Sequence, residues 1–141
     1  MKVLQLWSAL GIAAVLLAPS ATAAPEPGVD VETLSKNTVD GTDYLVTRIT
    51  VAPGSGTGWH YHPGEVFGYI QEGTMTHYDG GCVVDAVYGP GAPVKEGVGS
   101  TYVHHGRNLG STPLVMEVVY INPSGAPLSV TVPQPTDCPI P

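Results

Sequence analysis

The chain has 141 residues, 43% of them apolar and only 12% charged, with 18 glycines and 14 prolines. That apolar share excludes a disordered chain, and the density of Gly and Pro excludes long helices in favour of many turns and short strands. The formal charge is −7, or −8 once Lys2 is discounted, and the other basic residues (Lys36, Arg48, Lys95, Arg107) are scattered singly, which argues against nucleic acid or an anionic membrane as partner.

Residues 1–24 carry an address. Lys2 supplies a positive start, Val3 to Leu17 is an apolar stretch broken by Gln5, Ser8 and Gly11, and Ala21-Thr22-Ala23 offers small residues to a signal peptidase. The stretch is short for a bilayer span. The expectation is a cleaved signal peptide and a soluble, exported (secreted) mature protein of one domain.

Residues 25–42 hold few apolar side chains and read as an N-terminal arm or a strand added at an edge. From 43 to 132 short β-rich runs follow one another: Tyr44 to Val51, Glu65 to Gln71, Thr74 to Tyr78, Cys82 to Tyr88, Thr101 to His104, Leu114 to Ile121 and Leu128 to Val132. Turn clusters separate them, at Pro53-Gly54-Ser55-Gly56, Glu72-Gly73, Asp79-Gly80-Gly81, Gly89-Pro90-Gly91 and Asn122-Pro123-Ser124-Gly125. Some seven strands at this spacing predict an all-β sandwich or small barrel, closure of which would bury strand edges. The tail, 133–141, is Pro-rich and extended by composition. Cys82 and Cys138, an even count in a chain bound for an oxidising compartment, are expected to form a disulfide that tethers this tail.

Four of the five histidines sit in two tight groups. His60 and His62 are i and i+2, so on a strand both imidazoles face one side. His104 and His105 are adjacent, so only one can join them, and alternation places His104 on a face with Tyr102. Three neutral imidazoles suit a divalent transition metal and leave open positions for water or substrate. His77 and Met116 are further candidates for the cavity wall, each with an alternative as an ordinary structural residue.

The stretch Gly54-x5-His60-x-His62 followed by Gly73, and then His104 with Asn108, resembles the two motifs of the cupin superfamily. The run Gly58-Trp59-His60-Tyr61-His62-Pro63-Gly64 is similar to that of small secreted bacterial monocupins, some of which also end in a Pro-rich tail with a cysteine like Cys138. The resemblance implies a single conical β-barrel, a double-stranded β-helix or jelly roll, with metal ligands His60, His62 and His104. It also implies small-molecule ligands, and homodimers in some members. Two departures stand out. The family's glutamate, four residues after the second histidine, is here Val66, and the nearest carboxylate, Glu65, reaches the cavity only if a bulge re-aims it. The usual Pro-x-Gly turn before the third histidine is replaced by Gly97-Val98-Gly99-Ser100, which keeps His105 open as an alternative.

A three-histidine site without glutamate resembles that of some Fe(II) dioxygenases. The first functional expectation is therefore a metal-dependent, dioxygenase-like oxidoreductase, with Fe(II) favoured over Zn, Mn, Ni or Cu. A noncatalytic small-molecule or metal-binding module is the second. An isomerase or lyase, with Tyr102 or His77 moving protons, is the third.

Overall fold

A computed structural model describes residues 26–140; the signal peptide expected over residues 1–24 lies outside the described residues. Ten strands follow in chain order: β1 (Val29–Val39), β2 (Thr42–Val51), β3 (His60–Tyr61), β4 (Glu65–Glu72), β5 (Met75–Asp79), β6 (Val84–Tyr88), β7 (Pro93–Glu96), β8 (His104–Arg107), β9 (Leu114–Pro123) and β10 (Val130–Thr131). They form two five-stranded sheets, β1-β2-β9-β4-β7 and β10-β3-β8-β5-β6, with every strand pair antiparallel. The architecture is that of a double-stranded β-helix.

Period-2 patterning explains the first sheet. Along β9, Leu114, Met116, Val118, Tyr120 and Asn122 are buried while the residues between them are more exposed. The first four of these pack with Ile49 and Val51 of β2, Val66 and Ile70 of β4 and Val94 of β7, and the second sheet adds Met75. The inner face of the second sheet is instead populated by buried histidines: His60, His62, His77 and His104. A jelly roll that needed only stability would fill those positions with aliphatics, because buried polar groups cost free energy unless each finds a partner.

One alternative of the sequence reading is decided by the structure, and two elements differ from it. Residues 29–39, read as an arm or an added strand, form the edge strand β1, paired with β2 along its whole length. The strand placed at Thr101 to His104 lies later, at His104–Arg107, because Thr101 and Tyr102 belong to a turn closed by Tyr102 N–H donating to Gly99 O (3.0 Å). Gly99 sits there at φ +88°, and a Cβ on Gly97 would meet the Tyr102 ring at 2.6 Å, so this turn does with glycine what the expected Pro-x-Gly turn does elsewhere. Finally β7 was not anticipated, since Gly89, Pro90, Gly91 and Pro93 crowd its start; Pro93 is tolerated as the first residue of an edge strand.

One polar latch closes the far end of the first sheet. The buried carboxylate of Asp43 accepts from Thr38 Oγ1 (2.6 Å), Ser124 Oγ (3.2 Å) and Gly125 N (3.2 Å), and pairs with Lys36 Nζ at 3.1 Å. Thr38, then the Gly125 amide and Lys36, hold its carboxyl well below the usual carboxylate range. A depressed folded-state pKa means a stabilisation present in full above the unfolded value of about 4 and lost as pH falls toward the folded-state value. Asp43→Asn is therefore expected to lower Tm by more at pH 7 than at pH 2 to 3, as thermal melts at the two pH values would read.

Tail and domain are joined by the disulfide Cys82–Cys138. The turn that presents Cys82 is built by Asp79, whose Oδ1 accepts from Gly81 N (2.9 Å) and Val83 N (3.0 Å), as the Asp79-Gly80-Gly81 signal predicts.

Candidate metal centre

The first ladder bond of the site is between ligands: His60 of β3 stands directly across from His104 of β8. His62 follows two residues after His60 on the same face and is pinned by Gly99 N–H donating to His62 O (2.8 Å). The three rings converge, with centroids 4.3 Å apart for His60 and His104, 4.8 Å for His60 and His62, and 5.1 Å for His62 and His104. His105 faces away and stacks on Trp59 at 5.2 Å, so the adjacent pair splits between the two faces with His104 inward.

Sequence reasoning left the site without a carboxylate; Glu96 supplies it. Its Oε2 lies 2.8 Å from His62 Nε2 and 3.2 Å from His104 Nε2. Glu96 is the cross-strand partner of Val66, the position where the family resemblance places its glutamate. Directly opposed residues on an antiparallel pair have Cβ atoms about 5 Å apart and share a face. The carboxylate thus enters from β7 instead of β4, at the same height in the barrel. Glu65, a candidate for the cavity, points outward: its side chain is 47% exposed and pairs with Lys95 Nζ at 3.6 Å, and no bulge intervenes where β4 pairs with β7.

His60 Nδ1 donates to Gly58 O (2.8 Å), His62 Nδ1 to Leu128 O (2.7 Å) and His104 Nδ1 to Tyr102 O (3.1 Å). Carbonyl oxygens only accept, so each ring carries a proton on Nδ1 and, when neutral, turns a bare Nε2 inward, the arrangement that orients imidazole toward a metal. His60 Nε2 and His62 Nε2 are 3.2 Å apart. With each Nε2 bare, the four atoms, all within 4.8 Å of one another, are acceptors that repel unless a cation sits among them. The electrostatics agree. Burial, then the charges of His104 and His62, push His60 down to about 3, so it stays neutral and ligating. Burial would raise the Glu96 carboxyl, but pairing with protonated His104 and His62 outweighs it and holds the carboxyl well below the usual range. Against burial, the same pairing raises His104, so this point of the site calls for a positive charge, which a bound cation supplies in place of the proton. Three imidazoles and one carboxylate fit a divalent transition ion such as Fe, Mn, Ni, Zn or Cu.

Beside the cluster lies a cavity of about 40 Å³ whose wall includes Ile49, Val66, Met75, Met116, Val118 and Tyr120. A water needs roughly 10–15 Å³ on this measure, so there is room for a small ligand and no more without opening of the mouth. Met116 is thus on the cavity wall. His77 is buried and stacks on His104, centroids 5.1 Å apart, and Tyr102 lies 5.3 Å from His104. Tyr102 arrives there through the turn and not by strand alternation. Arg107 donates to Gly54 O (2.9 Å). Asn108 is a turn residue, bonded to Val51 O, Thr112 O and Gly110 N at 2.8 to 3.0 Å.

Fold and site together define a double-stranded β-helix protein with a three-histidine, one-glutamate pocket. The chain belongs to the cupin family: the Cupin domain profile matches residues 47–129. No curated protein matches it. Among solved structures it is similar to an uncharacterised conserved protein with a double-stranded β-helix domain from Klebsiella pneumoniae (TM-score 0.61, 19% identity, covering 83% of this chain and 90% of that one). A cupin domain from Bordetella pertussis aligns with TM-score 0.57 and 21% identity, over 71% of this chain and 99% of that one. The DMSP lyase DddQ from Ruegeria pomeroyi aligns with TM-score 0.61 and 18% identity, over 74% of this chain and 51% of that one. At these identities the likeness concerns the fold.

Proposed function

We propose that this chain is an exported cupin that holds a divalent transition metal through His60, His62, Glu96 and His104 and binds a small oxyanionic molecule at the metal's open positions. The observation that carries this reading is the convergence of three imidazole Nε2 atoms and a carboxylate within 4.8 Å of one another, with each ring oriented by a backbone carbonyl at Nδ1. The bound ion supplies Lewis acidity to an oxygen placed beside it. The chain's own residues do the rest: Glu96 offsets one of the ion's two charges, and Val66, Met75 and Met116 exclude water from one side. With Glu96 in the ligand set, the likeness to three-histidine dioxygenase sites loses its basis, and Val66 no longer means that a protein ligand is missing.

A second reading, Fe(II)-dependent oxygen chemistry of the dioxygenase kind, keeps one observation in its favour: the apolar lining of the cavity suits dioxygen. Iron-dependent oxygen uptake with a candidate substrate tests it. Export rests on residues 1–24 and is tested by the intact mass of protein recovered outside the cell, expected to begin near residue 24 or 25.

Metal content by ICP-MS on the untagged protein tests the main reading. Near-stoichiometric divalent metal is expected in the native protein, and its loss in the His60→Ala, His62→Ala double variant. Native protein that retains no ion after loading with Fe, Mn, Zn, Ni or Cu and desalting would overturn it.

A further inference from the structure

His77 is not needed to complete the ligand set, yet it is held more tightly than a filler residue requires. It faces inward from β5, next to Met75 on the same side, and lies on His104 with the two rings inclined by only 21°. Its Nδ1 contacts Asp85 Oδ1 at 2.5 Å. That contact depends on a β-bulge: Tyr78 pairs with Val84 and His77 with Ala86, so Asp85 is the extra residue, and the bulge aims its carboxylate at the imidazole. A carboxylate only accepts, so the His77 proton sits on Nδ1 and Nε2 presents a lone pair. The same Nε2 is buried without a hydrogen-bond partner, 3.9 Å from Glu96 Oε1.

Two acceptors face each other across a gap too long for a hydrogen bond, so the missing group is a donor from a bound molecule. The half-buried Tyr88 and Tyr102 stand beside it, with ring centroids 6.3 and 6.4 Å from that of His77. The ligand has to satisfy three conditions: an anionic oxygen for the metal, a hydroxyl close enough to reach His77 Nε2, and a body small enough for the adjoining apolar cavity.

We propose that His77 Nε2 and Glu96 Oε1 form a polar subsite that takes the hydroxyl of a small 2-hydroxycarboxylate whose carboxylate binds the metal, with Asp85 as the positioning residue that keeps His77 an acceptor. This rests on the metal-binding reading above and names the ligand class for that site. Acetate and glycolate separate the two, since they share the carboxylate and differ by the hydroxyl.

Cobalt(II)-loaded protein is titrated with each anion and followed by its visible absorption, with cobalt content measured in parallel. His77→Phe keeps a flat ring against His104 and removes the acceptor; Asp85→Ala, at a partly exposed position, leaves nothing to hold the proton on Nδ1 and answers the same question should the first variant not fold. The expected result is that acetate affinity and cobalt content stay unchanged in both variants while the advantage of glycolate over acetate falls about fivefold or more, the scale of one buried hydrogen bond. His77→Gln, which retains an acceptor, recovers part of that advantage. If the glycolate-to-acetate ratio is the same in native protein and in the variants, the subsite is overturned while the metal site stands. If native protein holds no cobalt, the reading beneath it fails as well.

Discussion

Replacing Glu96 by alanine is expected to weaken divalent-metal binding by about 100-fold or more. Loss of a residue that merely orients a ligand costs 10 to 100-fold in metal affinity, and Glu96 is placed to be a ligand itself, so its removal belongs at or above the top of that range. A hundredfold loss corresponds to about 2.7 kcal/mol. Thermal shift separates this from misfolding: added metal raises the Tm of a protein that binds it only when folded, as RT ln(1 + [M]/Kd), so native protein gains and Glu96→Ala gains much less at the same concentration. A sharper experiment moves the carboxylate. Val66 and Glu96 are opposed across β4 and β7, on one face of the first sheet. In the double variant Val66→Glu, Glu96→Val the carboxylate returns to the strand where the family resemblance places it, and metal binding is expected to recover above Glu96→Ala by at least tenfold. No recovery would mean that the position on β7 matters for a reason other than delivering a carboxylate to this point in the barrel.

The reason Glu96 escapes a reading of the sequence is local. Histidines at i and i+2 announce a shared face by themselves, and His104 with Asn108 adds a recognisable second motif, so three ligands follow from spacing. Glu96 has no such signature. It stands in Pro93-Val94-Lys95-Glu96, a four-residue edge strand hidden behind Gly89-Pro90-Gly91, and its partner Val66 lies thirty positions earlier. Only the strand pairing makes the two neighbours. Alternation does contain the clue once β7 is accepted: Val94 is buried and Lys95 exposed, over the Phe67 ring at 5.0 Å, which turns Glu96 inward. The jelly-roll class was legible because β2, β4 and β9 alternate cleanly between bounded turns. Asp85 is harder still, since a regular ladder would not aim it at His77 and the bulge that does has no glycine or proline to mark it.

The other large effect concerns stability without chemistry. Replacing both Cys82 and Cys138 by serine is expected to cost about 4 kcal/mol, because the bridge spans a sequence separation of 56 and removes the corresponding loop entropy from the unfolded chain. Against a typical domain stability of about 5–15 kcal/mol this is a large share, and for a domain of this size it corresponds to a fall in Tm of roughly 15 °C. The tail itself contributes little packing: beyond Thr131 it forms no strand, and Gln134 Nε2 donates within it to Cys138 O and Ile140 O, both at 2.8 Å. Its role is to tie down the turn between β5 and β6. That turn precedes the bulge carrying Asp85, whereas His60, His62, Glu96 and His104 stand on β3, β7 and β8 or just after them. The double serine variant should therefore keep its metal at temperatures where it remains folded while losing part of the glycolate preference that depends on Asp85. Calorimetry beside metal analysis checks the first half. A variant that melts with the native protein would place the clamp's effect below the entropy estimate, and one that loses metal while still folded would mean that freeing the tail disturbs His60 through β10, which pairs with β3, and through Val132 N–H, which donates to Trp59 O (2.9 Å).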